Sequence, residues 1–137
     1  MNRVFVDTDI ILDLLSHREP FYDHAALLFS SADRNEISLY VSALSFANLN
    51  YMLSKQYSAA QARKLLLRFK TLINVLAVND KILDLALSSD FKDFEDALQY
   101  QTAIENNINI LLTRNLKDFK TADIPVMTAE QFLKSKK

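Results

Sequence analysis

Apolar positions follow two spacings along the chain, and these spacings predict strands that alternate with helices. Short β-branched runs are typical of buried strands, whereas apolar residues recurring every three or four positions are typical of helices. The predicted strands are 3–6, 37–41, 73–78, 108–112 and 123–127, the last at a sheet edge because it contains Pro125. The predicted helices are 8–16 (with Thr8 or Asp9 as the cap), 20–32, 42–55, 58–72, 80–88, 93–106 and a short one capped by Thr128.

This alternation predicts the architecture. Strands that alternate with helices favour a parallel sheet covered on both faces. We therefore expect an α/β fold, a three-layer α/β/α sandwich with a short parallel sheet of four to five strands. The length of 137 residues fits a single domain over 1–137 with its own hydrophobic core.

Composition excludes several kinds of chemistry. The chain has no cysteine, which removes disulfides, thiolate catalysis and cysteine zinc sites, and its two histidines, His17 and His24, argue against a histidine metal site. A net charge of −1 argues against a strongly basic nucleic-acid binder but leaves room for a local patch. No apolar run approaches the roughly 20 residues of a membrane span. Because the start also carries no signal peptide, we expect a cytoplasmic protein.

The absence of glycine is a second constraint. Phosphate-binding loops and dinucleotide fingerprints need glycines, so both are excluded. Backbone positions with positive φ must use asparagine or aspartate instead. The candidates are Asn35, Asn106, Asn107 and Asn109, which lie between helical and strand patterns.

Three carboxylates occur within four residues at 93–96, where a loop becomes a helix. Asp93 is predicted as the N-cap and Asp96 as the third helical residue, where unpaired N–H groups and the helix dipole favour negative charge. An acidic cap on an ordinary helix is one interpretation. The other requires a second carboxylate at the same place, and Asp7 at the end of the first strand supplies one.

The predicted topology can bring these acids together. Ligands of open parallel sheets bind beyond the carboxyl ends of the strands, where Asp7 and the loop from Thr113 to Asn115 are expected. Carboxylates that converge without histidine or cysteine are typical of a Mg²⁺ or Mn²⁺ site. The chemistry natural to such a site is hydrolysis of a phosphodiester.

Three segments resemble motifs of a known family. The segments are VFVDTDIILD (4–13), DFEDALQY (93–100) and ILLTRNLKDF (110–119). Together they resemble the PIN-domain family, especially the VapC-like toxin ribonucleases and their relatives, over almost the whole chain. The resemblance implies a PIN-like fold, with Asp7 and Asp96 as metal ligands and with Asn115 and Asp118 bordering the site.

The resemblance also implies an activity and partners. It implies a metal-dependent endoribonuclease in which water is activated between Asp7, Asp96 and Asp118, with Mg²⁺ or Mn²⁺ as cofactor. Toxins of this kind pair with an antitoxin protein, often form homodimers and cut structured RNA such as tRNA. Supporting positions are expected at Asp9, Asn48, Asp93, Glu95, Thr113 and Asn115, and RNA contacts at Arg114 and Lys117.

Each supporting residue also has a purely structural interpretation. Asp9 is suited to cap a helix, and Asp13, one turn later, is expected to be solvated or to support the site from behind. Glu95 suits the helix dipole, and Thr113 fits an ordinary strand end. The histidines are expected to have no catalytic role. Arg114 and Lys117 are equally compatible with plain solvent exposure.

One residue departs from the family pattern. The family usually carries an acid on the helix after the second strand, and this chain has Asn48 there. An amide can ligate through oxygen but brings no charge, so metal binding should be weaker. This favours, as an alternative, a degenerate PIN domain that binds RNA or a protein partner without cleaving.

A different enzyme class is suggested by Asp7-Thr8-Asp9. Haloacid-dehalogenase-like phosphatases open with an apolar strand followed by Asp-x-Asp. They place a threonine-ending strand before the acidic pair, whereas here Thr113 follows Glu95 and Asp96. The order of motifs therefore argues against that class.

Overall fold

Strands and helices alternate along residues 2–136, which the computed structural model describes. The strands are β1 (Asn2–Val6), β2 (Ile37–Ser42), β3 (Asn74–Leu76), β4 (Leu111–Leu112) and β5 (Val126–Met127). The helices are α1 (Thr8–Leu15), α2 (Tyr22–Asp33), α3 (Ala43–Gln56), α4 (Ala59–Lys70), α5 (Asp80–Leu87), α6 (Phe94–Glu105) and α7 (Ala129–Ser135), with a 3₁₀ turn at Leu116–Phe119. Met1 and Lys137, the ends of the predicted domain, lie outside the described residues.

The five strands form one parallel sheet in the order β3-β2-β1-β4-β5. β1 is central, and its last three residues are completely buried. Val4 and Val6 pack with α1, α2 and α4 on one face, whereas Phe5 packs with Tyr100 of α6 on the other. Because successive strand residues point to opposite faces, both faces are covered, which confirms the predicted α/β architecture and the edge position of the final strand.

The strand order fixes where a ligand can bind. From β1 the chain crosses to β2 and β3 on one side, and later returns to β4 and β5 on the other. The connections thus diverge at the carboxyl ends of β1 and β4, which is where open parallel sheets form a crevice. Val6 pairs with Leu112, so the next residues, Asp7 and Thr113, emerge side by side.

Two predicted helix starts were wrong, and local hydrogen bonds explain both differences. The cap of α1 is Asp7, not Thr8 or Asp9, because the Asp7 carboxylate accepts a bond from the Thr8 N–H at 2.8 Å. Pro20 precedes α2 instead of lying in its first turn. There the Phe21 N–H bonds to the carbonyl of Arg18 and closes a separate turn.

Strands β3, β4 and β5 are shorter than predicted, β1 and β2 are each one residue longer, and the 3₁₀ turn was not predicted. The strand expected over 108–112 pairs only at Leu111 and Leu112. The Ile108 N–H donates instead to the carbonyl of Ala103, so this residue closes the last turn of α6 and does not pair in the sheet. Helix α6 itself begins as predicted, with Asp93 as its cap. None of the described helices is both long enough and apolar enough to span a membrane.

Three residues between elements have positive φ: His17 (52°), Asn35 (60°) and Asn107 (58°). The two asparagines confirm the expectation that this amide residue replaces glycine in the left-handed region. Asn106 and Asn109 were predicted there wrongly: Asn106 ends α6 with φ at −104°, and Asn109 is not among the positive-φ residues of the described chain. The positive φ of His17 was not predicted.

We predict that Asn107→Ala lowers the free energy of unfolding by about 1 kcal/mol, because a residue with a Cβ and no local hydrogen-bonding side chain is disfavoured at positive φ. Asn107→Gly should not destabilise the protein. Urea melts would measure both. Asn109→Ala is the control, since that exposed residue is not among the positive-φ positions of the described chain. Equal effects at 107 and 109 would contradict the assignment.

Candidate metal centre

An acidic groove of about 310 Å³ opens at the carboxyl ends of β1 and β4. Carboxylates from three separate parts of the chain line it: the start of α1, the start of α6 and the 3₁₀ turn. The lining residues are Asp7, Thr8, Asp9, Leu12, Arg18, Met52, Asp93, Glu95, Asp96, Asn115 and Asp118. The fold therefore brings together the two acids that the sequence analysis treated as ligands.

Asp7 is the most deeply placed acid of the groove, with 6% of its surface exposed. One carboxylate oxygen accepts from the Thr8 N–H at 2.8 Å, and the other accepts from the Thr113 hydroxyl at 2.9 Å. Burial, with the nearby charge of Asp9, raises the pKa of Asp7 to about 7 against these hydrogen bonds. Asp7 is thus held in one orientation with a charge that the groove disfavours.

Thr113 connects the first motif to the last. Its side chain is fully buried, and its hydroxyl lies 2.9 Å from Asp7 and 3.3 Å from Asp9. The Asp9 carboxylate also accepts from the backbone N–H of Arg114 at 3.0 Å. Thr113 therefore turns toward the acids, and Asp9 ties α1 to the loop after β4 and does not cap a helix.

Asp93 and Asp96 form the start of α6. The Asp93 carboxylate accepts from the Asp96 N–H at 2.9 Å, which is the predicted cap. Partial burial raises the pKa of Asp96 to about 7, and the charges of Asp93 and Asp118 add to the shift. The acids of this helix start therefore repel each other.

Asn48 reaches the groove through Glu95. Its side-chain amide donates to a Glu95 carboxylate oxygen at 2.7 Å, although Asn48 itself is not among the lining residues. Helix α3 thus brings Asn48, the residue that departs from the family pattern, beside the start of α6. Burial raises the pKa of Glu95, and the bond from Asn48 opposes that shift.

The exposed residues Asn115 and Asp118 border the groove from the loop after β4, and Lys117 lies beside them in an adjoining groove. Arg114 points elsewhere. Its guanidinium bonds to Asp13 at 2.9 Å and stacks over the Phe21 ring at 4.1 Å.

Asp13 corrects one expectation. It was expected to be solvated or to act in support of the site, but it is only 2% exposed and is paired with Arg114. Solvation is therefore wrong for this carboxylate. The pair braces α1 against the loop that carries Thr113 and Asn115.

Two features were missed by the sequence analysis. Arg18, from the loop after α1, adds a positive charge to the groove wall. Behind the groove, Gln99 is completely buried among the hydroxyls of Thr8, Ser42 and Ser45. A sequence signal for Gln99 existed, because it is a polar residue one turn after Asp96 on the same helical stripe.

The donor chemistry of the groove fits a hard divalent cation. Its donors are carboxylate oxygens, which Mg²⁺ and Mn²⁺ prefer, and the two raised pKa values mark negative charge that a cation would stabilise. Among residues 2–136, however, no three such side chains are already arranged around one point as a metal-binding group. Asp7 and Asp93 instead have backbone or hydroxyl partners.

Comparisons with known proteins agree with this description. Residues 3–117 match the sequence model of the PIN domain family. Ribonuclease VapC1 of Aquifex aeolicus is 29% identical over 138 residues, which cover 95% of this chain and 92% of that protein.

Solved structures give the same fold. A chain of a toxin–antitoxin complex from Klebsiella pneumoniae is 25% identical with a TM-score of 0.67, covering 92% of this chain and 97% of its own. VapC20 of Mycobacterium tuberculosis, a sarcin–ricin loop cleaving toxin, is 18% identical with a TM-score of 0.68, covering 88% and 95%. At 18% identity, the similarity to VapC20 shows the fold alone. The predicted PIN-like architecture is confirmed.

We predict that the metal-free protein becomes less stable as pH rises from about 4 to about 7. The folded pKa values of Asp7 and Asp96 lie above the unfolded value of 3.8. The folded state thus keeps protons that the unfolded state has lost, so the free energy of unfolding falls across this window. Asp7→Asn should flatten the dependence and stabilise the protein at about pH 8.

Urea melts in EDTA at several pH values would measure this dependence. Asp84→Asn, an exposed change on α5 outside the groove, is the matched control and should leave the slope as in the wild type. A wild-type stability that rises over the same window would contradict the charge repulsion inferred for the groove.

Proposed function

Because this chain belongs to the PIN-domain family, we propose that it is a Mg²⁺- or Mn²⁺-dependent endoribonuclease that hydrolyses RNA phosphodiester bonds. The observation that carries the proposal is the meeting of Asp7 and Asp96 in one groove with Asp118 at its border. These residues come from three sequence-distant motifs. A helix cap alone would not need the acids of all three motifs in one place.

In this proposal Asp7 and Asp96 are the metal ligands, and Asp118 completes the acidic set. A bound Mg²⁺ or Mn²⁺ would supply a water of lowered pKa and stabilise charge on a phosphoryl oxygen. The chain's own contribution is orientation. The Thr113 hydroxyl and the Thr8 N–H hold both oxygens of Asp7, and the cap bond of Asp93 holds the backbone at Asp96.

The residues around the acids support an RNA substrate. Arg18 on the groove wall and Lys117 in the adjoining groove provide positive charge for flanking phosphates. In this proposal Arg114 does not contact the RNA, because its guanidinium is already paired with Asp13. It supports the site by holding the loop after β4 in place. Asp9, Asn115 and Glu95 complete the border of the site.

The proposal extends to partners. We propose that the protein is the toxin of a toxin–antitoxin pair, that it forms a homodimer in the cytoplasm and that residues 1–137 act as one PIN-like domain. Support comes from the likeness to ribonuclease VapC1 and to a chain of a toxin–antitoxin complex. A structured RNA such as tRNA is the proposed substrate.

A second function is favoured by Asn48. Its amide occupies a Glu95 oxygen and adds no charge where the family pattern has an acid. On this alternative the domain binds RNA or a protein partner and does not cleave. Cleavage by the wild type separates the two functions, since the binding module should give none with any divalent cation.

We predict that Mn²⁺ raises the melting temperature of the protein by binding the folded state, and that Mn²⁺-supported cleavage of a structured RNA stops in EDTA. Asp7→Asn and Asp96→Asn should each abolish cleavage while leaving the metal-free fold intact, because removing one carboxylate relieves repulsion. Gel analysis of the RNA and thermal melts would measure these effects.

Asp84→Asn serves as the matched aspartate control and should cleave as the wild type does. Cleavage that persists undiminished in EDTA would rule out the metal mechanism. If the Asp96→Asn protein unfolds without metal, the structural role of the cap is the correct interpretation of that residue.

We predict that Asn48→Glu raises the affinity for Mn²⁺ and increases cleavage. The new carboxylate would replace the amide beside Glu95, adding negative charge that destabilises the metal-free protein and attracts the cation. Glutamate is also a better helix former than asparagine, so the local helical cost is small. Calorimetric titration with Mn²⁺ would give the affinity.

The control for charge alone is Asn50→Glu, which adds the same charge two residues further along α3, on the other side of the helix. This variant should bind Mn²⁺ as the wild type does. If Asn48→Glu binds no more tightly than Asn50→Glu, then position 48 does not contribute to the site.

A further inference from the structure

A buried polar cluster lies directly behind the acidic groove. It consists of Thr8, Ser42, Ser45 and Gln99, of which the last three are completely buried and Thr8 is 8% exposed. Buried polar groups are costly unless they are hydrogen-bonded. Four of them in one place within a hydrophobic fold therefore call for a specific role.

The Gln99 amide uses its full set of donors within this cluster. Its oxygen accepts from the Ser42 hydroxyl at 2.9 Å, and its nitrogen donates to Ser45 at 3.0 Å and to Thr8 at 3.3 Å. The Thr8 and Ser45 hydroxyls are also bonded to each other at 2.8 Å. An amide has one acceptor and two donor hydrogens, so one side chain bonds three hydroxyls.

The four residues come from the starts of three different helices. Thr8 follows Asp7 in the first turn of α1, and Gln99 lies one turn after Asp96 in α6. Ser42 caps α3 by accepting from the Ser45 N–H at 3.3 Å. The cluster therefore joins the backbone that carries Asp7 to the backbone that carries Asp96, with α3 as the third support.

Apolar packing alone would hold these helices together. It would restrict sliding and rotation of one helix against another less closely than hydrogen bonds do. Hydrogen bonds are directional, and a displacement of either helix by 1 Å would lengthen the bonds of Gln99 beyond useful range. Supporting side chains that orient metal ligands typically change metal affinity by about 10–100-fold when mutated.

We propose that Gln99 is a positioning residue that sets the distance between the carboxylates of Asp7 and Asp96, and that it thereby controls metal binding without contacting the metal. The metal part of this inference rests on the proposed function. The positioning part does not, because the hydrogen bonds exist in the chain by itself. The two parts can therefore be tested separately.

The first test is Mn²⁺ titration of Gln99→Met, Ser45→Ala and the double variant by calorimetry. Methionine keeps much of the volume of glutamine but removes the three amide hydrogen bonds. Each single change should weaken Mn²⁺ binding about tenfold or more. The double variant should lose less than the sum of the two effects, because Gln99 and Ser45 share one bond.

The control is Thr102→Val, on the same helix as Gln99. Thr102 is also fully buried, but its hydroxyl bonds to Leu98 within its own helix, at 2.6 Å. This variant should lose stability and keep the Mn²⁺ affinity of the wild type. Equal losses of affinity for Thr102→Val and Gln99→Met would assign Gln99 a merely structural role and overturn the proposal. If Gln99→Met does not fold, then Ser45→Ala, which leaves α6 unchanged, carries the test.

The second test uses no metal. Amide hydrogen exchange in EDTA should speed up at Thr8 and Asp96 in Gln99→Met, more than in Thr102→Val, because the two helix starts are no longer tied. If the wild type binds no Mn²⁺ but this exchange pattern is found, the proposed function fails and the positioning role stands. If exchange at Thr8 and Asp96 is the same in Gln99→Met and Thr102→Val, the positioning role is overturned whatever the metal result.

Discussion

The parallel pairing of β1 with β4 is the interaction on which the site depends. It lies at the centre of the sheet and sets Val6 against Leu112, so Asp7 and Thr113 leave the two strands side by side. The Asp7 N–H donates to the Leu112 carbonyl at 2.9 Å, and the Thr113 hydroxyl donates to the Asp7 carboxylate at the same distance. A slip of one residue would turn these side chains to the wrong faces.

This pairing brings charge to a place where charge is unfavourable. Asp7 is buried, and Asp96 approaches it from α6 with Asp93 and Asp118 nearby. The chain offsets part of the cost with helix caps and hydroxyl donors, and the raised pKa values of Asp7 and Asp96 record the part that is left. A divalent cation in the groove would offset the remainder, so the same acids that lower the stability of the metal-free protein suit the proposed nuclease.

Polar side chains also hold the groove from behind. Gln99 bonds hydroxyls from the starts of α1 and α3, and the pair of Asp13 with Arg114 braces α1 against the loop after β4. These contacts explain why arginine in the last motif is half-buried and paired. They also show how distant motifs can be fixed in position by residues that line no part of the groove.

The sequence by itself determined the alternation of strands and helices, the Asp93 cap and the replacement of glycine by Asn35 and Asn107, because spacing, capping and backbone preference are local. Its three motifs also indicated the family and the acids that line the groove. Only the tertiary structure decided that Asp13 pairs with Arg114 and that Gln99 bonds three hydroxyls. Those partners lie between 54 and 101 residues apart in the chain, and their contact depends on strand register and helix packing, which no local pattern specifies.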